Sequence, residues 1–409
     1  MRVGLSCHFR NVPMSDSNRY ENFLVFLAPL INSVGGIAID LYAPSIPAIG
    51  RELNVMPSMM QNTITITLVF YAIGQLAFGM LADWWGRRPS VLFGLALFIA
   101  GSALAVVAPS FEVLMAGRAI QGFAIGSCQV VARAVLVDRL KGDRFRVAIV
   151  YLSLAFGLGP VIAPYIGGHV QEWAGWRWNF VVYCGYGLVV LSFAFVGLRE
   201  TLRPELRRTP RQTIAGYREI LSDSHFQSAV AMLGMSFSAF LMWNVIGPYI
   251  VQFRLGHSAS YFGSTALGVG LCYLGGTTLN RSLIRRYSGE QLMRGGIAIF
   301  ALGVACVASS GGELILVTAL GGIMLIAFAQ GFIFSNAMAR SMALFPGRAG
   351  AAASLQGCLM LALGSIVSGV VSALPIETNA AIAVMFACLL GVTMIGFRQL
   401  HRLHPQVAR

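Results

Sequence analysis

Asp40 lies in the run GGIAIDLYAPSIP (residues 35–47) and is the one Asp or Glu that falls inside a long apolar stretch; the other fifteen lie in loops or at the ends of such stretches. A carboxylate in that setting marks an ion or substrate path by default, because an anion in hydrocarbon is costly. Burial opposes its charged form and a nearby cation supports it, the opposed pulls that a reversible proton carrier uses. A hydrated carboxylate at an interface is the other reading, since the apolar run ends four residues later. Arg118 offers the cation. It sits about six residues, or roughly 9 Å, into a later apolar run, and a guanidinium there must find an anion, a carbonyl or water. A structural arginine held by carbonyls and a coupling partner for Asp40 both fit. Tyr71, Gln75, Trp243, Asn244 and Tyr249, with Asn32 and Gln121, are the polar and aromatic residues expected to line a cavity for a bulky, partly apolar compound.

The elements that must position these groups follow from composition. The 409 residues are 56% hydrophobic and 11% charged, with a mean hydropathy of +0.72, which leaves too little polar surface to coat a water-soluble globule. Stretches long enough to cross a bilayer as helices are expected at 23–44, 61–82, 90–109, 112–137, 146–168, 179–198, 226–251, 259–280, 292–310, 313–338, 350–373 and 379–397. The expected class is therefore an all-α integral membrane protein of twelve helices. The polar opening residues show no secretory signal, so the first helix should remain, with Met1 and Met14 both open as starts.

The net charge of +13 would suit a nucleic-acid partner, but its distribution argues for topology instead. With both termini in the cytoplasm, 24 of the 29 Lys and Arg fall on that side, three (Arg51, Arg177, Arg254) on the other, and two (Arg118, Arg133) within helices. Arg133 and Asp138 read as snorkelling or loop-paired charges, and Trp173, Trp176 and Trp178 as interfacial anchors. The seven cysteines form no C-x-x-C pair and the six histidines lack metal-ligand spacing, so no metal is expected.

An internal repeat divides the chain. DLYAP (Asp40–Pro44) matches NVIGP (Asn244–Pro248), Gly79-x-x-x-Asp83 matches Gly276-x-x-x-Asn280, and QGF at 121–123 matches QGF at 330–332, at offsets of 204, 197 and 209. The expected units are a cytoplasmic tail (1–22), a six-helix bundle (23–198), a cytoplasmic linker (199–225), a second six-helix bundle (226–397) and a tail (398–409). The first half keeps acids where the second has asparagines.

The loop GMLADWWGRRPSV (79–91) resembles the G-x-L-a-D-r-x-G-r-r motif of the major facilitator superfamily. RAIQG (118–122) resembles that family's span 4 motif, and GLGPVIAPYIGG (157–168) its antiporter motif, here Gly157, Gly159, Pro160, Pro164, Gly167 and Gly168. With DLYAPSIP and GQLAFG, the set looks most like drug:proton antiporters of the bicyclomycin-resistance type. The resemblance implies a bacterial inner-membrane protein, monomeric, with both termini cytoplasmic. It would export small amphipathic molecules by alternating access, driven by the proton gradient and needing no cofactor. Asp40 and Arg118 would couple protons, and Gly79, Asp83, Gly86, Arg87 and Arg88 would form a conformational gate, with Asp83 near the start of span 11 at Gly350. Some related exporters carry a second acid eight residues before the aspartate, where this chain has Asn32. A dedicated siderophore or metabolite exporter and a proton-coupled importer are the alternatives. No H-E-x-x-H, G-x-S-x-G or P-loop motif supports an enzyme, and the topological distribution of charge removes the main support for nucleic-acid binding. The longest loop and the tail are too short for the soluble domain that a sensor or scaffold would append.

Overall fold

The computed structural model describes residues 16–202, 205, 210–345, 349–374, 376 and 378–402; residues 1–15 of the expected tail 1–22 and residues 403–409 of the expected tail 398–409 lie outside them. The first half consists of α1 (Asp16–Asp40), a short α2 (Ile46–Glu52), α3 (Pro57–Trp84), α4 (Arg87–Val106), α5 (Phe111–Arg139), α6 (Gly142–Ala174) and α7 (Trp176–Gly197). A connecting helix α8 (Pro210–Leu221) leads to α9 (Ser224–Pro248), α10 (Ala259–Leu283), α11 (Gly289–Ala308), α12 (Leu316–Ala343), α13 (Ala349–Ser372) and α14 (Asn379–Arg402). Apart from α2 and α8, these are twelve long helices among the described residues. Eleven are long and apolar enough to cross a membrane; α10 is the one that falls short. Five glycines and a run of Ser, Thr and Asn dilute its hydropathy. The chain is a multi-pass membrane protein.

The two halves pack alike. α1 lies on α5, α6 and α7, α3 on α5, and α4 on α5 and α7; correspondingly α9 lies on α12, α13 and α14, α10 on α12, and α11 on α12 and α14. The halves meet through two helix pairs, α3 with α13 and α6 with α10. Along the second pair, Val161, Pro164 and Gly168 of α6 face Gly270, Gly263 and Ala259 of α10 so closely that a Cβ on Gly168 would lie 2.5 Å from the Ala259 carbonyl oxygen. Small residues let helices approach to van der Waals contact where lipid gives no hydrophobic drive.

Two ends of the bundle can be told apart. The basic end carries Arg87, Arg88, Arg139, Lys141, Arg144, Arg146 and Arg199 at the helix ends. At the far end, Gln252 donates from Nε2 to the Pro44 carbonyl (2.8 Å), and the Ser260 amide donates to Glu172 Oε1 (2.8 Å), joining the halves. Trp173 and Trp178 are exposed there, as anchors should be, whereas Trp176 is 3% exposed and donates to Glu52 Oε2 (2.7 Å). That buried indole braces α7 against α2, so it is no surface anchor.

Candidate functional site

The first apolar stretch does not end at residue 44. After a 3-10 turn at Ala43–Ser45 the chain runs on through α2 to Glu52, which places Asp40 well inside, 3% exposed. The break has a simple cause. Pro44 lacks the N–H that would bond the carbonyl four residues earlier, that of Asp40, so α1 ends there. Pro248 stands in the same relation to Asn244, and beyond it the helix loosens into a π turn over Tyr249–Arg254. Each half thus carries a polar residue four positions before a proline. The fold brings the two together: Asn244 Nδ2 donates to Asp40 Oδ1 at 2.6 Å, across the boundary between halves.

Arg118 is fully buried on α5. Its Nη1 donates to the Ala38 carbonyl (3.2 Å) and to Gln121 Oε1 (2.7 Å), and its Cζ lies 4.1 Å from the centre of the Tyr42 ring. No ion pair joins it to Asp40, although its charge acts on that carboxyl through space. Nε and Nη2 find no hydrogen-bond partner. Tyr42 in turn donates from its amide to the Tyr183 hydroxyl, which donates to Ala38 O (3.0 Å). Asp40, Tyr42, Arg118 and Tyr183 therefore form one buried polar knot around the end of α1. Tyr42 lies inside the DLYAP motif but was not singled out, and Tyr183 carried no motif; only their place facing Arg118 would have revealed them.

The remaining expected cavity residues fall in different places. Tyr71 and Gln75 both donate to Gln129 Oε1, the hydroxyl at 2.7 Å, and Gln75 abuts Gly357 of α13. Gln129 was not foreseen, though it stands two helical turns from Gln121 on α5. Asn32 donates to the Leu152 carbonyl of α6 (3.0 Å). Gln121 turns towards α4, donating to Ser102 Oγ (2.7 Å), and holds Arg118 from that side. Trp243 is packed on Phe262 of α10 with ring centres 6.0 Å apart, and Tyr249 stacks on Phe253. Those two are not gathered with Tyr71 and Gln75. Among the described residues, no three His, Cys, Asp or Glu converge as a metal site.

Residues 28–369 match the family described as the Major Facilitator Superfamily. The chain belongs to that superfamily. Among curated relatives of this major facilitator, the Bicyclomycin resistance protein homolog of Haemophilus influenzae is 26% identical, covering 93% of this chain and 97% of its own. Multidrug resistance protein D of Escherichia coli is 28% identical, covering 92% and 95%. Among solved structures, a D-xylose-proton symporter superposes with a TM-score of 0.72 at 13% identity, covering 93% of this chain and 97% of that one. At that identity it speaks for the fold alone.

In this major facilitator the loop between α3 and α4 is a network of ions. Arg87 donates to Asp83 Oδ1 (2.5 Å) and to Asp138 Oδ2 (3.1 Å), and Asp138 also accepts from Thr201 Oγ1 (3.0 Å). Glu200 accepts the backbone amides of Arg87 and Arg88 (3.0 and 3.1 Å), placing an anion on the exposed N–H groups at the start of α4. Gly86 makes this possible: its φ of +124° lies where side chains are strained, and a Cβ there would strike Glu200 Oε2. Arg88 points away, donating to the Phe195 carbonyl (3.0 Å). Asp83 was expected to meet the start of α13. Residues 346–348 lie outside the described set, and the group found beside Asp83 is Tyr217 of α8, whose hydroxyl is 3.3 Å from where a Cβ on Gly79 would be. Burial first, then the Asp83 charge, pushes the Tyr217 phenol up to about 12. The stretch expected as a plain polar linker thus contributes a helix and an acid to the surroundings of the α3–α4 loop.

Proposed function

We propose that the protein is a proton-coupled exporter of small amphipathic compounds, working by alternating access in the plasma membrane of a bacterium as a monomer, with the basic end in the cytoplasm and no cofactor. The names of its relatives, which speak of bicyclomycin and multidrug resistance, support the substrate class, and the charge count supports the orientation.

The observation that carries this reading is the Asp40–Asn244 hydrogen bond between the halves. An ionised carboxylate holds the Asn244 amide by a charge-assisted bond, which is about twice as strong as a neutral one. A proton arriving from the far end turns Asp40 into a weaker acceptor and loosens the clasp, so proton occupancy biases which end of the bundle opens. Arg118, through space, favours the ionised form and helps return the proton to the cytoplasmic side. One charge moved across the membrane gains about 2.3 kcal/mol per 100 mV, enough to bias the cycle. In purified protein reconstituted into vesicles, Asp40→Asn is expected to abolish transport driven by an imposed pH gradient while the protein remains folded. Full gradient-driven transport by that variant would remove Asp40 from the mechanism.

A further inference from the structure

Arg133 has no acid to balance it. It lies one turn beyond Gln129 on α5, and neither a hydrogen bond nor an ion pair is recorded for it among the described residues; its electrostatic neighbour is Tyr71. Asp138, the next acid along the helix, is already engaged by Arg87 and Thr201. Helical side chains lean towards the N-terminus of their helix, which for α5 is the far end, and Tyr71 lies on that side, bonded at the level of Gln129. Gln129, one turn before Arg133, engages a second unfinished group. Gln75 is 2% exposed, gives one end of its amide to Gln129, and has no partner for Oε1. That free end faces α13 of the other half, where a Cβ on Gly357 would lie 2.6 Å from it.

The spans consequently hold two arginines, Arg118 and Arg133, against one acid, Asp40. A lipophilic cation entering between the halves meets a net positive wall whenever Asp40 is ionised or protonated, whereas an acid meets an uncommitted guanidinium. We propose that Arg133 and the free end of the Gln75 amide form an anion subsite, and that the transported compounds include amphipathic acids whose carboxylate pairs with Arg133 while a neighbouring N–H or O–H donates to Gln75. This refines the proposed function and rests on reading the region between the halves as the substrate site.

Equilibrium binding of three fluorescent probes at pH 7 tests it: N-dansylglycine, its neutral amide, and the cation dansylcadaverine, all sharing one ring system and one sulfonamide N–H. The wild-type protein is expected to bind dansylglycine roughly tenfold or more tightly than the other two, the scale of a hydrogen bond to a charged group. Arg133→Gln should erase that preference, and Arg133→Lys should retain part of it, with gel filtration and circular dichroism verifying that each variant is folded. Equal affinity of the wild type for the three probes, or a carboxylate preference that survives in Arg133→Gln, overturns the subsite. Binding needs no gradient, so a loss of proton-driven flux in Asp40→Asn and a loss of carboxylate preference in Arg133→Gln are read separately.

Discussion

Where the first half has Asp40, Arg118 and Asp83, the second has Asn244, Ala327 and Asn280, on helices that pack in the same pairs. The first half places ionisable groups at these positions, of which Asp83 pairs with Arg87. The second has neutral groups there and nearby: Asn336 donates to Asn280 Oδ1 (2.8 Å), and Ser236 donates to Gln330 Oε1. Their helix starts differ too. α4 begins at Gly86 and borrows Glu200 from beyond α7, whereas α11 begins with its own capping box of Ser288 and Gln291. At these matched positions the first half thus carries titratable groups and a long-range cap, and the second carries neutral partners and a local cap. In the proposed cycle, a single titration at Asp40 is felt across the boundary through Asn244, which does not itself titrate.

The sharpest way to break this contrast is to compare the two ends of the clasp. Asp40→Asn should lower gradient-driven flux about a hundredfold or more, whereas Asn244→Ala, which removes a donor worth about 1–3 kcal/mol and no titrating group, should lower it several-fold. Equal losses in vesicle flux would mean that the halves share the proton chemistry. Next in size is a packing test within the α6 motif. A Cβ on Gly167 would drive into the Leu41 carbonyl, whereas one on Gly157 meets nothing within 4 Å. Thermal unfolding in detergent should show Gly167→Ala costing more than about 3 kcal/mol and Gly157→Ala falling within about 1 kcal/mol of the parent, on the stabilising side.

Smaller effects should separate the two helix starts. Glu200→Ala is expected to cost about 1–2 kcal/mol and to raise hydrogen exchange at both the start of α4 and the Asp138–Thr201 contact, whereas Ser288→Ala costs about 1 kcal/mol and disturbs α11 alone. The smallest signal comes from Tyr217, which sits where the halves meet at the basic end. Its folded pKa, about 12, lies above the unfolded value of about 10, so its docking contributes fully below pH 10 and is lost as pH rises through 12. Phenolate absorbance at 295 nm, taken as the difference between the parent and Tyr217→Phe, should show one tyrosine ionising late; an ordinary midpoint would detach Tyr217 from α3 and α13.

Twelve helices, the two-half division and the loop motif were legible because apolar length, repeat spacing and glycine placement are local properties of the chain. The pairing of Asp40 with Asn244 was half visible: both residues stood four before a proline, but nothing in the sequence said that the two points touch. Glu200, Tyr217 and Gln129 were not visible, since each acts on a residue far away in sequence and none sits in a repeating pattern. Tyr249 and Trp243 were picked out by residue type alone as a binding wall, and no sequence signal showed that they would lie against Phe253 and Phe262.

The modest hydropathy of α10 has a consequence for biogenesis. The glycines that dilute it admit its neighbours: Gly263 and Gly270 take up Pro164 and Val161 of α6, and Gly276 takes up the Phe328 backbone of α12. A segment of this kind partitions weakly into lipid alone and is held by helices on both sides, one of them translated much earlier. α6, made well before α10, therefore offers it a fitted surface on entering the membrane, which ties the integration of this one span to the order of synthesis.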